Sequence, residues 1–377
     1  MTTAKKIELF DQIIIGGNLT GLLIARHLEL AGFNVAIIDE GDEPGGALRP
    51  VSVKGMALET SLCLFPDSEE HRQLLAWLEP VLDASVIGES LELPPLTFDS
   101  GSLKPFVSFG DRKFHSLNIL SNYNQTKFIN LKIRPEQWIY LLTTSLTSTL
   151  FKRAVVTEID PRKNGLQVTV NGAKKLYSRQ AIFCLPAKQL TKLLKDDFLQ
   201  GRIRQRIDKL KLWTSVHLHF LHSQVHQENQ ALHFLYGSRD DYEPTLGRFF
   251  APVSEDNRQA SLWMGFIQTE LANNSEQIAN TIREIKKQLR RTYPELLKDI
   301  IAEKIVVDTN SHGLVDLSLK EAGVLPQLPG LYLAHSTHWP QLPLPGALKG
   351  ALEALAWLGQ PHHPEPSPAS LKPEIFW

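Results

Sequence analysis

The sequence predicts an α/β protein: a dinucleotide-binding βαβ domain, split along the chain, beside a second, mixed-sheet α+β domain. Three stretches carry that reading. Residues 11–39, DQIIIGGNLTGLLIARHLELAGFNVAIID, run strand, glycine turn, helix, strand and end on an acid. Residues 328–358 place a second glycine-bearing helix start, around Gly346, behind a short apolar strand near the other end. Between them, LWTSVHLHFL at 212–221 alternates with period two, the signature of a strand. Two glycine-rich helix starts at opposite ends fit one domain interrupted by another.

In the first stretch, Asp11 to Ile15 close an apolar run, Gly16 and Gly17 break it, and Thr20 to Ala31 carry Leu22, Leu23, Ile24, Ala25 and Leu28 at helical spacing. The next run, Val35 to Ile38, ends on Asp39, 23 residues after Gly16, close to the roughly 20 of a dinucleotide unit. A helix N-terminus at Thr20 and Gly21 offers unpaired amides and a partial positive charge to a pyrophosphate. Asp39, with Glu40 next to it, is placed to accept hydrogen bonds from a ribose hydroxyl. The three-glycine fingerprint falls on positions 16, 18 and 21, and the middle one is Asn18. A Cβ there stands where the backbone approaches phosphate, whereas the turn should survive, because Asn tolerates positive φ.

Length and composition narrow the function classes. The chain has 377 residues, more than one ordinary core holds. Its 40 basic and 41 acidic residues give a formal charge of -1, which favours neither nucleic acid nor an anionic membrane. Its two cysteines, Cys63 and Cys184, lie in apolar contexts and suit a reducing compartment. With no long apolar run and no h-region at the N-terminus, the expectation is a cytoplasmic protein without an integral membrane segment.

After Asp39, GDEPGGALRP turns at Pro44, Gly45 and Gly46, and VSVKGMALETSLCLF forms a hairpin about Gly55. Here the chain resembles the flavin amine oxidase, protoporphyrinogen oxidase and phytoene desaturase superfamily. Its members carry a strand-ending acid, a Gly-Gly pair six residues later, then a Gly and an Asp. The matching positions are Asp39, Gly45, Gly46, Gly55 and Glu59. Ala47 and Ser61 stand where the family has Arg and Gly, which makes Arg49 a shifted candidate for a phosphate contact. The resemblance implies FAD as cofactor.

Residues 67–126 read as an inserted cap containing an amphipathic piece, HRQLLAWLEPVL. A helix begins at Arg134–Pro135, and strands follow at 154–159 and 166–170, separated by PRKNG. Within the resemblance, Val156 matches the strand valine that holds the adenine, and AIFCLPAKQL at 181–190 matches the return strand. On 212–221, His217 and His219 share a face, with His222, His226 and His233 nearby. They are read either as metal ligands or as histidines facing water, and their spacing matches no zinc signature. Trp263 and Phe266 read as core or pocket lining, and residues 275–291 as a helix whose basic end, Lys286, Lys287, Arg290 and Arg291, is solvated.

In LPGLYLAHSTHWPQLPLPGALKGALEALAWL, Leu331 to Ala334 resemble the family's C-terminal flavin strand, and Gly346, Ala347, Leu348, Gly350 and Ala351 its helix start. His335 and Ser336 replace the family's Gly-Asp pair, so Ser336 keeps a small polar group there without the carboxylate. The helix opening at Gly346 would aim its dipole at the flavin's pyrimidine edge, with Lys349 as a second source of positive charge or an exposed lysine. His335 and His338 are the acid–base candidates near neutral pH, or merely fill space. The Pro-rich tail, 361–377, ends in Ile375, Phe376 and Trp377 and is a candidate to dock a protein partner.

The expected division is therefore a FAD-binding domain of residues 1–66, 127–190 and 301–360 and a substrate domain of 67–126 and 191–300. The expected function is an FAD-dependent oxidoreductase acting on a small amine or apolar molecule. The alternatives are a binding or scaffold protein whose fold has outlived its flavin, and an NAD(P)-linked enzyme using the N-terminal motif alone.

Overall fold

The computed structural model describes residues 8–49, 51–195, 198–226, 230–237, 243–252, 257–313, 323–339 and 342–359. The expected tail contact lies outside these residues. In chain order the elements begin with β1 (Glu8–Ile15), α1 (Leu19–Leu30) and β2 (Val35–Ile38), then the hairpin β3 (Val51–Val53) and β4 (Met56–Leu58). Next come α2 (Glu69–Leu82), β5 (Ile87–Glu92), β6 (Pro95–Asp99), β7 (Ser102–Pro105), α3 (Leu117–Ser121), β8 (Lys127–Leu131), α4 (Pro135–Ser145) and β9 (Thr149–Phe151). The meander β10 (Val156–Arg162), β11 (Gly165–Val170) and β12 (Lys174–Phe183) leads to α5 (Ala187–Leu193) and α6 (Gly201–Asp208). The second body adds β13 (Leu212–His222), β14 (Leu232–Leu235), β15 (Thr245–Phe249), β16 (Gln259–Gln268), α7 (Ser275–Thr292) and β17 (Ile300–Gly313). The chain then returns through β18 (Leu331–Leu333) and α8 (Pro343–Trp357).

The first sheet has the order β10-β11-β12-β1-β2-β9, with β18 alongside β12. At its centre β1 runs parallel to both β12 and β2. A central parallel strand is covered on both faces, which is why Ile13, Ile14 and Ile15 are all buried and the sequence shows an unbroken apolar run there. One face packs Leu22, Leu23, Leu28, Trp138, Leu348 and Leu355 from α1, α4 and α8. The other packs Ala187, Leu190 and Ile207 from α5 and α6. The result is three layers, the doubly covered architecture expected of a Rossmann-like domain.

The second sheet has the order β17-β13-β16-β15-β14-β6-β7. Val216, Leu218 and Phe220 of β13 meet Ile285 and Leu289 of α7 on its outer face. Its inner face turns toward the first body and carries Met264, Phe266 and Trp213 against Leu62, Leu64 and Tyr123.

Several expectations change. Strand β17, assigned from sequence to the first domain, pairs along β13 in the second sheet. Helix α2, assigned to the cap, buries Leu74, Leu75, Trp77 and Leu78 in the core beneath α1 and α8. His217, His219, His222 and His233 do not face water: each is at most 1% exposed. Period-two alternation places His217 and His219 on one face of β13, but both faces of this strand are covered. The basic end of α7 is partly engaged, with Lys286 Nζ 2.8 Å from Glu303 and Arg291 donating to Tyr236 O at 3.1 Å. Among the described residues no helix is long and apolar enough to cross a membrane.

Candidate cofactor and substrate cleft

A cleft of about 610 Å³ runs between the two bodies, from Asp39 past the starts of α1 and α8 to the inner face of the second sheet. Of the residues singled out in the sequence, Gly16, Asn18, Thr20, Asp39, Glu40, Gly45, Gly46, Arg49, Val156, His335, Ser336 and Ala347 line it. Gly17, Gly21, His338, Gly346 and Leu348 do not.

The turn after β1 is built by sterics. Gly16 has φ +106°, and a Cβ on Gly21 would stand 2.1 Å from Gly16 O, so the helix passes over the strand end only without a side chain there. Asn18 needs no positive φ, contrary to expectation. It adopts φ -76° and caps α1: its Oδ1 accepts from Gly21 N at 3.1 Å and its Nδ2 donates to Cys184 O at 2.6 Å. The side chain is thus a structural member of the turn, and it engages one of the amides that a phosphate would use.

Asp39 closes the far end. Its Oδ2 accepts from Gly17 N at 2.7 Å and its Oδ1 from Gly41 N at 2.8 Å, which leaves further lone pairs toward the cleft. The Arg49 guanidinium lies 3.8 Å from Oδ1, putting its charge at the Asp39 end of the cleft. Gly45 N donates to Gly17 O at 2.7 Å, and a Cβ on Gly46 would be 3.1 Å from that of Asn18, so the glycine pair lets this loop close on the helix start. Val156 lines the cleft as the first residue of β10.

At the other end α8 begins at Pro343, three residues before the expected start. Pro343 and Pro345 have no N–H, and Gly346 N already bonds Leu342 O at 2.9 Å, so Leu344 supplies the one open amide of the first turn. Gly346 instead allows close packing, since its Cβ would lie 2.9 Å from Ser336 O. Leu348 is fully buried core. Lys349 points away from the cleft, 3.7 Å from Glu353 and 3.8 Å from Glu70.

His335 and His338 do not titrate near neutrality. Burial, reinforced by His338, pushes His335 down to about 3, and burial pushes His338 down to about 4. Each therefore stays a neutral imidazole, with His335 Nδ1 2.9 Å from Thr337 Oγ1. Glu59 also stays out of the cleft lining: it pairs with Arg248 of β15 at 3.2 Å, and burial raises its carboxyl against that pairing.

The wall facing the two helix starts was not legible from the sequence. It is formed by Ser61, Leu62 and Cys63 and by Asp308, Thr309, Ser311 and His312 of β17. Behind it runs a hydrogen-bonded row: Tyr123 OH to His312 Nε2 at 3.0 Å, His312 Nδ1 to Ser311 Oγ, Ser311 Oγ to Ser215 Oγ and Ser215 Oγ to His217 Nε2 at 2.8 Å each, and His217 Nδ1 to Thr60 O at 2.7 Å. Burial holds His217 at about 4 and His312 at about 3, so both rings are neutral. One carbonyl then fixes every proton. Thr60 O can only accept, so His217 carries its hydrogen on Nδ1 and accepts at Nε2 from Ser215. Ser311 then donates to Ser215 across the 2.8 Å contact in preference to Trp213 O at 3.5 Å, His312 Nδ1–H donates to Ser311, and Tyr123 to His312 Nε2. Thr60 N meanwhile donates to Glu136 of α4 at 2.9 Å, so the row ties the second sheet to the first body. Among the described residues no group of three His, Cys, Asp or Glu side chains is arranged to hold a metal ion.

The residues present fit a dinucleotide: a helix start with open amides, an acid with free lone pairs, a glycine pair at the closure and a second helix start along one cleft. Residues 14–80 match the family of NAD(P)-binding Rossmann-like domains. No curated protein matches the chain in sequence. Among solved structures, the chain resembles putrescine oxidase bound to putrescine, with 12% identity, TM-score 0.65, and 94% of this chain and 99% of that one covered. A protein from Exiguobacterium sp. 255-15 assigned as protoporphyrinogen oxidase matches with 14% identity and TM-score 0.66, covering 95% and 100%. An oxidoreductase from Methanosarcina mazei matches with 12% identity and TM-score 0.65, covering 92% and 99%. The chain thus shares its fold with these solved structures over nearly its whole length.

Proposed function

We propose that this protein is an FAD-dependent oxidoreductase of the amine oxidase/desaturase type, acting on a small amine or apolar molecule. The observation that supports this most is the meeting of two helix starts, α1 and α8, on one cleft that continues from Asp39 to the second sheet. An NAD(P)-linked enzyme needs only the first. When bound, the flavin supplies the redox chemistry, taking a hydride from a C–N or C–C bond of the substrate.

The chain's own residues do the positioning. The start of α1 and the Asp39–Arg49 pair hold the diphosphate and ribose, and Gly45 and Gly46 bring their loop against it. The positive end of α8 favours the negative charge that reduction brings to the pyrimidine edge. Ser61, Leu62 and the inner face of the second sheet shut water out. One observation favours a second reading, a binding protein without flavin: the Asn18 side chain bonds the Gly21 amide in the phosphate approach.

The visible spectrum of freshly purified protein, before and after adding FAD and removing the excess, separates the two. A retained flavin band is expected. A protein that FAD neither colours nor stabilises overturns the oxidoreductase reading.

A further inference from the structure

We propose that Asp308 anchors a cationic head group, so that the cleft selects an alkylammonium ligand over a neutral molecule of the same shape. The inference rests on the cleft reading above for the purpose of binding and narrows its substrate class from "amine or apolar" to amine.

Asp308 lies on β17 opposite Ser215 of β13, on the face that carries His217, and it lines the cleft. Among the described residues its carboxyl makes no hydrogen bond and no ion pair, in contrast to Asp39 with its two amides. The hydrogen-bonded row explains why its neighbours do not help. The hydroxyls of Ser215, Ser311 and Tyr123 and the Nδ1–H of His312 are each committed to the next member, so none of these four donors is left over for Asp308.

Among the described residues no charge compensates it either. Tyr123, Cys63, His217, His312, His335 and His338 are the ionisable groups of the hydrogen-bonded row, of the cleft wall beside it and of the His335–His338 turn. Burial pushes the first two up and the four imidazoles down, so all six are neutral at pH 7. The cations of the cleft wall, Arg49 and Lys192, belong to the loop beside Asp39 and to α5, in the first body. Accordingly burial alone pushes the Asp308 carboxyl up to about 7. A partly buried carboxylate with neither a hydrogen-bond donor nor a counter-charge bonded to it among the described residues is poorly solvated, and an ammonium supplies both at once. Leu62 and Leu344 line the same cleft and offer an apolar surface to the ligand's alkyl part.

Isothermal titration of the full-length protein with n-hexylamine and n-hexanol, with and without FAD, tests this. At pH 8 hexylamine should bind at least tenfold more tightly than hexanol. Its affinity should fall by nearly tenfold per pH unit once the pH is well below 7, as Asp308 protonates, while hexanol's stays level. Asp308→Asn should bring hexylamine to the level of hexanol and leave hexanol unchanged, which also reports that the variant's cleft is intact. The wild-type pH comparison stands even if that variant does not fold. Equal binding of the two ligands by the wild type at pH 8, a preference that survives in Asp308→Asn, or no binding of either ligand in any condition overturns the proposal. Absence of a flavin band with the hexylamine preference intact would sink the redox reading alone.

Discussion

Replacing Asn18 by glycine sets two effects of known size against each other. In the protein without cofactor the substitution removes the cap on Gly21 N and the tether from Nδ2 to Cys184 O. A glycine cap costs only a few tenths of a kcal/mol, and a lost hydrogen bond about 1 kcal/mol. The variant should therefore lose about 1–1.5 kcal/mol. At about 2.1 cal/mol/K per residue over 377 residues, that is a fall in Tm of about 2 °C. With FAD the sign reverses. The freed Gly21 amide becomes a donor to phosphate, and a hydrogen bond to a charged group contributes about 1.5–3 kcal/mol, roughly ten- to a hundredfold in affinity. Thermal denaturation across a series of FAD concentrations reads both effects, since ligand stabilisation grows as the logarithm of concentration over Kd. Asn18→Ala is the control: it loses the full cap, about 1 kcal/mol more, and keeps a Cβ in the phosphate approach. An FAD-induced shift in Asn18→Gly no larger than in the wild type, with the apoprotein destabilised as expected, refutes the assignment of the α1 start as a phosphate seat.

Two further outcomes follow from local geometry. Gly21→Ala forces a Cβ to 2.1 Å from Gly16 O, a backbone atom that cannot move aside, so it should cost several kcal/mol and abolish FAD binding, as denaturant unfolding and absorbance would show. Near-wild-type stability in that variant would disprove the tight turn. The protein should also unfold readily in acid. His217, His219, His222, His233 and His312 are buried, with values lowered to about 3 or 4 by burial, so the unfolded chain takes up their protons first as the pH falls below about 6.5. Their contribution is full above that pH and is lost on the way down to the folded values. Three of the five acting fully remove about 4 kcal/mol per pH unit, against which Asp308, raised to about 7, works in the opposite sense. Circular dichroism should show a cooperative transition between about pH 4 and 5.5, and a native signal persisting to pH 3 would contradict the burial of these rings.

The first βαβ unit was legible because its constraints are local. Gly16 and Gly21 are required by a clash within six residues of chain, the β1 run is apolar because a central parallel strand is covered twice, and Asp39 ends β2 where the acid was expected. The return segment at 331–334 and the period-two strand at β13 were legible for the same reason. The start of α8 was misplaced because Gly346 looked like an opening signal, whereas Pro343 at the first helical position sets it and Gly346 is required by Ser336 O. Periodicity alone could not tell a half-exposed strand from one covered on both faces, so the histidines of β13 were read as wet when they are dry.

The sequence by itself determined the two helix starts, the acid at Asp39 and the fold class, since each rests on spacing along the chain. Only the tertiary structure decided what faces them. β17 reaches the cleft through pairing with β13, nearly a hundred residues away in sequence, and that pairing brings Asp308, Ser311 and His312 opposite the helix starts. The neutral state of the histidines and the direction of every proton in their row were decided by burial and by one backbone carbonyl, Thr60 O. Neither is a property of local sequence, because both depend on which groups the fold removes from water together.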